Sequence, residues 1–260
     1  MDLLATLTML LAGVGAGIIN AVAGSGTLIT FPVLLALGVP PVTANVSNNV
    51  GLLPASITAA IGYRRELNGE FGTVLKMALW SVLGGLVGAG LLLLLPSESF
   101  SALVPFLLLA AAVLAALQPR MARLVRARSN YSGVSTLPIT VGLIFGVFVA
   151  GVYGGYFGAA QGVILLAILG ILWSTDLNKA NGAKNVLTGV ANLFSALVFT
   201  ISGTVDWHVA VAVGLGAATG GWLGARIGRR VPAGLLRAVL VIIALVAAVA
   251  LFINNFKTTG

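Results

Sequence analysis

Two short runs concentrate the groups able to hold a ligand. "ANVSNNV" at 44–50 carries Asn45, Ser47, Asn48 and Asn49, and "ANGAKNV" at 180–186 carries Asn181, Lys184 and Asn185. Two glycine-containing turns add backbone donors: "AGSGT" at 23–27, with Gly24, Ser25, Gly26 and Thr27, and "GGYFGAAQG" at 154–162, with Gln161 and Gly162. Asn20 stands just ahead of the first turn. Amides and hydroxyls supply hydrogen-bond donors and lysine a positive charge, whereas all six carboxylates (Asp2, Glu66, Glu70, Glu98, Asp176 and Asp206) fall in or beside expected loops. Such a set favours an anion and disfavours a cation. If the glycine turns lie deep, the helices starting near Thr27 and Gly162 aim unpaired N–H groups and positive dipole ends inward, and glycine lets that backbone approach a ligand closely. The expected binding set is therefore Asn20, Gly24, Ser25, Gly26, Thr27, Asn45, Asn49, Gln161, Gly162, Asn181, Lys184 and Asn185.

Each of these residues also has a plainer use. Asn and Ser in membrane helices often bridge neighbouring helices, and Asn45 and Asn181 have the type and position of helix N-caps. Lys184 also reads as an interfacial lysine whose stem lies along lipid while its ammonium reaches water. Pro32, Pro40 and Pro41 end or kink helices.

The elements that position these groups follow from composition. Of 260 residues, 59% are hydrophobic and 8% charged, too little polar surface to solvate a water-soluble globule. Val74–Leu95, Phe100–Leu117 and Leu235–Ile253 have about the 20-residue length that crosses a bilayer core of ~30 Å. The opening "MDLLATLTMLLAGVGAG" has no basic residue ahead of its apolar run, which reads as a retained first helix. With no cysteine and one histidine, His208, the chain offers no material for disulfides, thiol chemistry or a histidine-built metal site. Its net charge of +8 is dispersed among loops and predicts no nucleic-acid partner.

An internal repeat organises the chain. At a shift of 136, "ANVSNNV" falls on "ANGAKNV", "GGLVGA" (84–89) on "GGWLGA" (220–225), Pro96 on Pro232 and Glu70 on Asp206. At a shift of 134, "AGSGTLITFPVLL" (23–35) falls on "FGAAQGVILLAIL" (157–169), which requires a two-residue insertion near Gly170–Thr175. The reading is a first membrane repeat at 1–119, a basic cytoplasmic linker at 120–136 and a second membrane repeat at 137–260. Five helical segments are expected in each: 3–22, 27–37, 44–63, 72–95 and 100–117, then 137–156, 162–173, 181–201, 207–227 and 235–254. The second segment of each is short and follows a glycine turn, the sequence pointer to a transporter binding site. Whether the first two segments both span or form a re-entrant hairpin is open, with a length of 11–14 residues favouring the hairpin or a broken helix. "GGLVGA" and "GGWLGA" read as small-residue packing faces.

Charge placement is a separate argument about orientation. On five crossings per repeat, 13 of the 14 Lys and Arg, all but Lys257, fall on one side. The positive-inside rule makes that side cytoplasmic and puts both termini outside. Arg64 and Arg65 correspond to Thr200 and Ile201, while Arg229 and Arg230 correspond to Leu93 and Leu94. That reversal predicts an inverted repeat. The expected class is an all-α polytopic membrane protein of two five-helix inverted repeats with short or discontinuous second segments.

Residues 15–67 then show a resemblance. The glycine turn Gly24–Gly26, Pro32, "LGVPPVTA" (37–44), the polar run Asn45–Asn49 and "YRR" (63–65) resemble the opening signature of the TauE/SafE sulfite exporter family, also called the four-toluene sulfonate uptake permeases. "GVYGGYFGAAQGVILLAILG" (151–170) is similar to the companion signature, and "GGWLGARIGRRVP" (220–232) to the ending of the ninth helix. The resemblance implies a cell-membrane transporter, not an enzyme, for small sulfur-containing anions such as sulfite, sulfonates, sulfoacetate or thiosulfate, working without a cofactor; a homodimer is left open. The chain departs from the pattern at Ala159, Ala160 and Gln161, where glycines are common in the family, so the two turns need not bind ligand equally. With no carboxylate in the spans for a proton relay, flux driven by membrane potential and substrate gradient is expected.

Two other classes compete. A divalent-metal permease lacks His, Asp and Glu in the spans. An intramembrane serine protease would use Ser25 with His208 as base, but a Gly-x-Ser-Gly turn needs glycine at position 23, which is Ala23, and His208 falls in an expected external loop beside Asp206 and Trp207.

Overall fold

The computed structural model describes residues 3–23, 25–62, 64–129, 136–227 and 233–259, so Gly24 and 130–135 of the expected linker lie outside the described residues. The elements are α1 (Leu3–Ala23), α2 (Thr27–Ala36), α3 (Pro41–Gly51), α4 (Leu53–Gly62), a 3₁₀ turn (Arg64–Leu67), α5 (Phe71–Leu94), α6 (Ser97–Ser129), α7 (Val141–Tyr156), α8 (Gln161–Leu172), α9 (Leu177–Ile201), α10 (Trp207–Ile227) and α11 (Ala233–Thr259). Among the described residues there is one isolated β-bridge, Thr136 with Ser174, and no strand. Leu3–Asn20, Phe71–Leu94, Ser97–Leu124 and Leu177–Ile201 are long and apolar enough to cross a membrane. On α5, Leu79, Trp80, Leu83, Val87 and Leu91 are exposed at the 3- and 4-residue spacing of one helix face, the face such a protein turns to lipid.

Several boundaries differ from the sequence expectation, each for a local reason. The third segment of the first half is broken at Leu52 into α3 and α4. Pro54 has no N–H to donate to the carbonyl four residues back and its ring crowds that carbonyl; the corresponding Val190 has its N–H, and α9 runs on unbroken for 25 residues. Both polar helices also begin earlier than expected. α3 starts at Pro41, whose fixed φ suits a first helical position. α9 is capped by Asp176, whose carboxylate accepts from the N–H groups of Asn178 and Lys179. Asn45 and Asn181 are therefore inside helices, not caps. α6 continues to Ser129, so 120–129 of the expected linker are helical. α8 has 12 residues against 10 in α2, a difference of the same size as the insertion that the repeat alignment requires.

The halves interlock. α1 packs chiefly along α10, and α5 along α7. A Cβ on Gly17 would lie 2.3 Å from the Ala217 carbonyl oxygen, and one on Gly88 2.1 Å from that of Val152, so these helices approach as only glycine allows. Gly13 meets Gly216 and Gly17 meets Gly220, while Gly84 meets Gly151 and Gly88 meets Val152 and Tyr156. Both pairs therefore run parallel. At the shifts seen in the sequence, exchanging the halves carries the Gly17–Gly220 contact onto Gly151–Gly84. α6 and α11 pair differently: the Phe106 and Phe252 rings stand 6.3 Å apart, while Ala116 shares a cleft with Ala238, Val241 and Ile242. Low numbers on one helix meet high numbers on the other, so α6 and α11 are antiparallel.

Candidate functional site

A cavity forms where the two glycine turns meet α4 and α9. Asn20, Ser25, Gly26 and Thr27 come from the α1–α2 turn, Leu52 and Ser56 from the α3–α4 break, Gly158 and Gly162 from the α7–α8 turn, and Lys184, Asn185, Thr188 and Asn192 from α9. On α9 those four residues fall at steps of one, three and four, one face of a helix. The cavity offers about 30 Å³ of space to water. One water needs roughly 10–15 Å³, so the cavity suits a few waters or one small ion.

Its walls are donors. Lys184 is 7% exposed and Ser25 3%, and the Ser25 hydroxyl has no hydrogen-bond partner among the described residues. In the first turn of α2, Leu28 N–H bonds to Ser25 O and Ile29 N–H to Gly26 O, which leaves the N–H groups of Gly26 and Thr27 without a carbonyl inside the helix. Gly26 is required there, since a Cβ would stand 2.8 Å from the Ala16 carbonyl oxygen. Among the described residues, no acidic one lines the cavity. A buried ammonium, hydroxyls, amides and the positive ends of α2 and α8 converge on one space, an arrangement able to replace the hydration shell of an oxyanion.

The second turn is built differently. Ala160 takes the left-handed conformation (φ 60°) and Gly158 has φ 77°. The Tyr153 hydroxyl donates to Ala159 O at 2.6 Å and pins the turn. Gln161 is 1% exposed; its Nε2 donates to Ala150 O at 3.1 Å, and its side chain fills the space a Cβ on Gly154 would need. Gln161 lies against α7, apart from the cavity lining.

Of the twelve residues expected from sequence, the lining contains Asn20, Ser25, Gly26, Thr27, Gly162, Lys184 and Asn185. Asn45, Asn49, Gln161 and Asn181 are not in it. Asn45 is buried with its Nδ2 donating to Tyr156 O at 2.9 Å, which ties α3 to the end of α7. The Asn49 Oδ1 is buried with no partner among the described residues, and Asn181 is half-buried a turn before Lys184. Lys184 is buried deeper than an ammonium that reaches out to water along the lipid. Ser56 and Thr188 join the site without having been expected. The signals were present: Ser56 is the repeat counterpart of Asn192, and Thr188 lies one turn after Lys184. His208 is exposed and hydrogen-bonded to Thr6.

The family model described as Sulfite exporter TauE/SafE matches residues 9–251. The chain is 31% identical over 236 residues to a probable membrane transporter protein, ORF9, of a Sinorhizobium species, covering 91% of this chain and 88% of that one. It is 30% identical to a probable membrane transporter protein of Haemophilus influenzae, over 87% and 85% of the two chains. Against the probable membrane transporter protein YfcA of Escherichia coli K12 it is 30% identical, over 92% and 87%. No solved structure matches the chain.

Proposed function

Because the chain belongs to the sulfite exporter TauE/SafE family and is thus a multi-pass membrane transporter, we propose that it carries small sulfur-containing oxyanions, sulfite foremost, through this cavity. The observation that carries the reading is the lining itself: a buried Lys184 among uncharged donors, with no acid among the described lining residues. A divalent metal needs oxygen or nitrogen ligands bearing lone pairs and negative charge, which this lining opposes with an ammonium. The small volume favours sulfite over bulky organosulfonates, of which only the sulfonate head would be enclosed.

The transport cycle we infer is alternating access between two halves related by an axis in the membrane plane. The antiparallel α6–α11 pair and the exchanged α1–α10 and α5–α7 pairs support that relation, and the basic loops support an orientation with both termini outside the cytoplasmic membrane. An inside-negative potential drives each negative charge outward by ~2.3 kcal/mol per 100 mV, so export needs no further coupling. Flux of sulfite, sulfoacetate, sulfate and chloride from proteoliposomes at a set potential tests the assignment. Sulfite efflux that rises with inside-negative potential supports it; flux of divalent metals with no flux of any anion refutes it.

A further inference from the structure

Thr27 and Thr30 lie one turn apart on the same face of α2, and both meet Asn48 of α3. Thr30 and Asn48 are 0% and 1% exposed. The Thr30 hydroxyl donates to Asn48 Oδ1 in a short contact, which sets the amide with its Nδ2 toward Thr27, and Nδ2 donates to Thr27 Oγ1 at 3.3 Å. A lone pair of Thr27 is then occupied by the amide. Its proton has no protein acceptor among the described residues, and Thr27 lines the cavity.

We propose that Asn48, which does not line the cavity, is a positioning residue that polarises Thr27, fixing its hydroxyl as a donor toward the bound anion. A free hydroxyl rotates and offers either a proton or a lone pair; one whose lone pair is occupied by an amide N–H presents its proton. The repeat makes the same point from the other half. At the shifts given above, Thr27, Thr30 and Asn48 correspond to Gln161, Ile164 and Lys184. Ile164 offers no hydroxyl to clamp a polar group, and the residue at the Asn48 position there is Lys184, which enters the lining directly. One helix position thus serves the anion twice, by charge from the second half and by orientation from the first.

This inference rests on the anion-transport reading, and its test keeps the two apart. Sulfite KM and kcat are measured in proteoliposomes for wild type, Asn48→Ala, Thr27→Val and the double variant. Asn48→Ala is expected to raise KM about threefold to tenfold, the loss of one oriented hydrogen bond, with kcat little changed, and to have no further effect when Thr27 is Val. Thr27→Ser, which keeps the hydroxyl, restores the sensitivity to Asn48→Ala. Thr30→Val removes the donor that holds the amide, together with the 3.4 Å bond from the same hydroxyl to Gly26 O, and gives the same pattern if Asn48→Ala does not fold. Equal losses from Asn48→Ala with and without the Thr27 hydroxyl would show that Asn48 only packs α3 against α2, and overturn the inference while transport stands. A wild type that moves no anion overturns the transport reading and this inference with it.

Discussion

Lys184 is the one charged side chain among the described residues that line the cavity, and the proposed anion transport rests on its charge. Replacement by Met keeps most of the volume and removes the charge. A hydrogen bond to a charged group contributes about 1.5–3 kcal/mol, so Lys184→Met is expected to lower sulfite kcat/KM roughly 10- to 100-fold, as read by initial efflux rates. Ser25→Ala removes a neutral donor and is expected to cost only a few-fold. An unchanged rate in Lys184→Met would mean that the anion passes elsewhere. How much of this was legible varied with the question. Polar types in an apolar chain singled out Asn20, Ser25, Thr27, Lys184 and Asn185, which line one cavity; Ser25, Lys184 and Asn185 are buried there and Asn20 and Thr27 half-buried. The direction each side chain takes was not legible, because Asn45 and Gln161 are the same kind of residue turned to the Tyr156 and Ala150 carbonyls by packing.

Glycine decides the element scale. At Gly88 a Cβ would meet the Val152 carbonyl oxygen at 2.1 Å, whereas at Gly90, half a turn on, nothing lies within 4 Å. Gly88→Val is expected to force α5 from α7 and abolish a monodisperse peak on size exclusion, while Gly90→Val is expected to elute as wild type. Equal behaviour of the two would contradict the packing described. The α7–α8 turn gives a second prediction: Ala160 sits at φ 60°, a conformation that costs a non-glycine residue roughly 1–2 kcal/mol. Ala160→Gly is therefore expected to raise the melting temperature by a few degrees in detergent; a lower one would show that the alanine methyl contributes more than the strain costs. The glycine faces and the short second segments were readable from spacing alone. The break at Leu52 was not anticipated even though Pro54 was visible, because a proline near a polar run reads equally as a kink within one helix and as the start of a new one.

For the whole molecule, the internal repeat in the sequence proposes which positions of the two halves are equivalent. Its geometry can be tested in a chain that has no native cysteine. Cysteines at 106 with 252, and separately at 116 with 242, are both expected to join through a short bifunctional maleimide, as an antiparallel α6–α11 pair requires. Joining of 106 with 242 and 116 with 252 instead would mean a parallel pair and no inverted relation. What the sequence could not convey at this scale is the interlocking of the repeats: α1 finds its main partner about 200 residues away in α10, a consequence of close packing that no local pattern encodes. In the transport proposed above, one buried lysine among uncharged donors lets an anion follow the membrane potential outward. Sulfite efflux from proteoliposomes, measured against an imposed inside-negative potential for wild type and Lys184→Met, tests it most directly. Efflux that steepens with potential in wild type and falls at least tenfold in the variant is the predicted result; wild-type efflux that ignores the potential, or is matched by the variant, would contradict it.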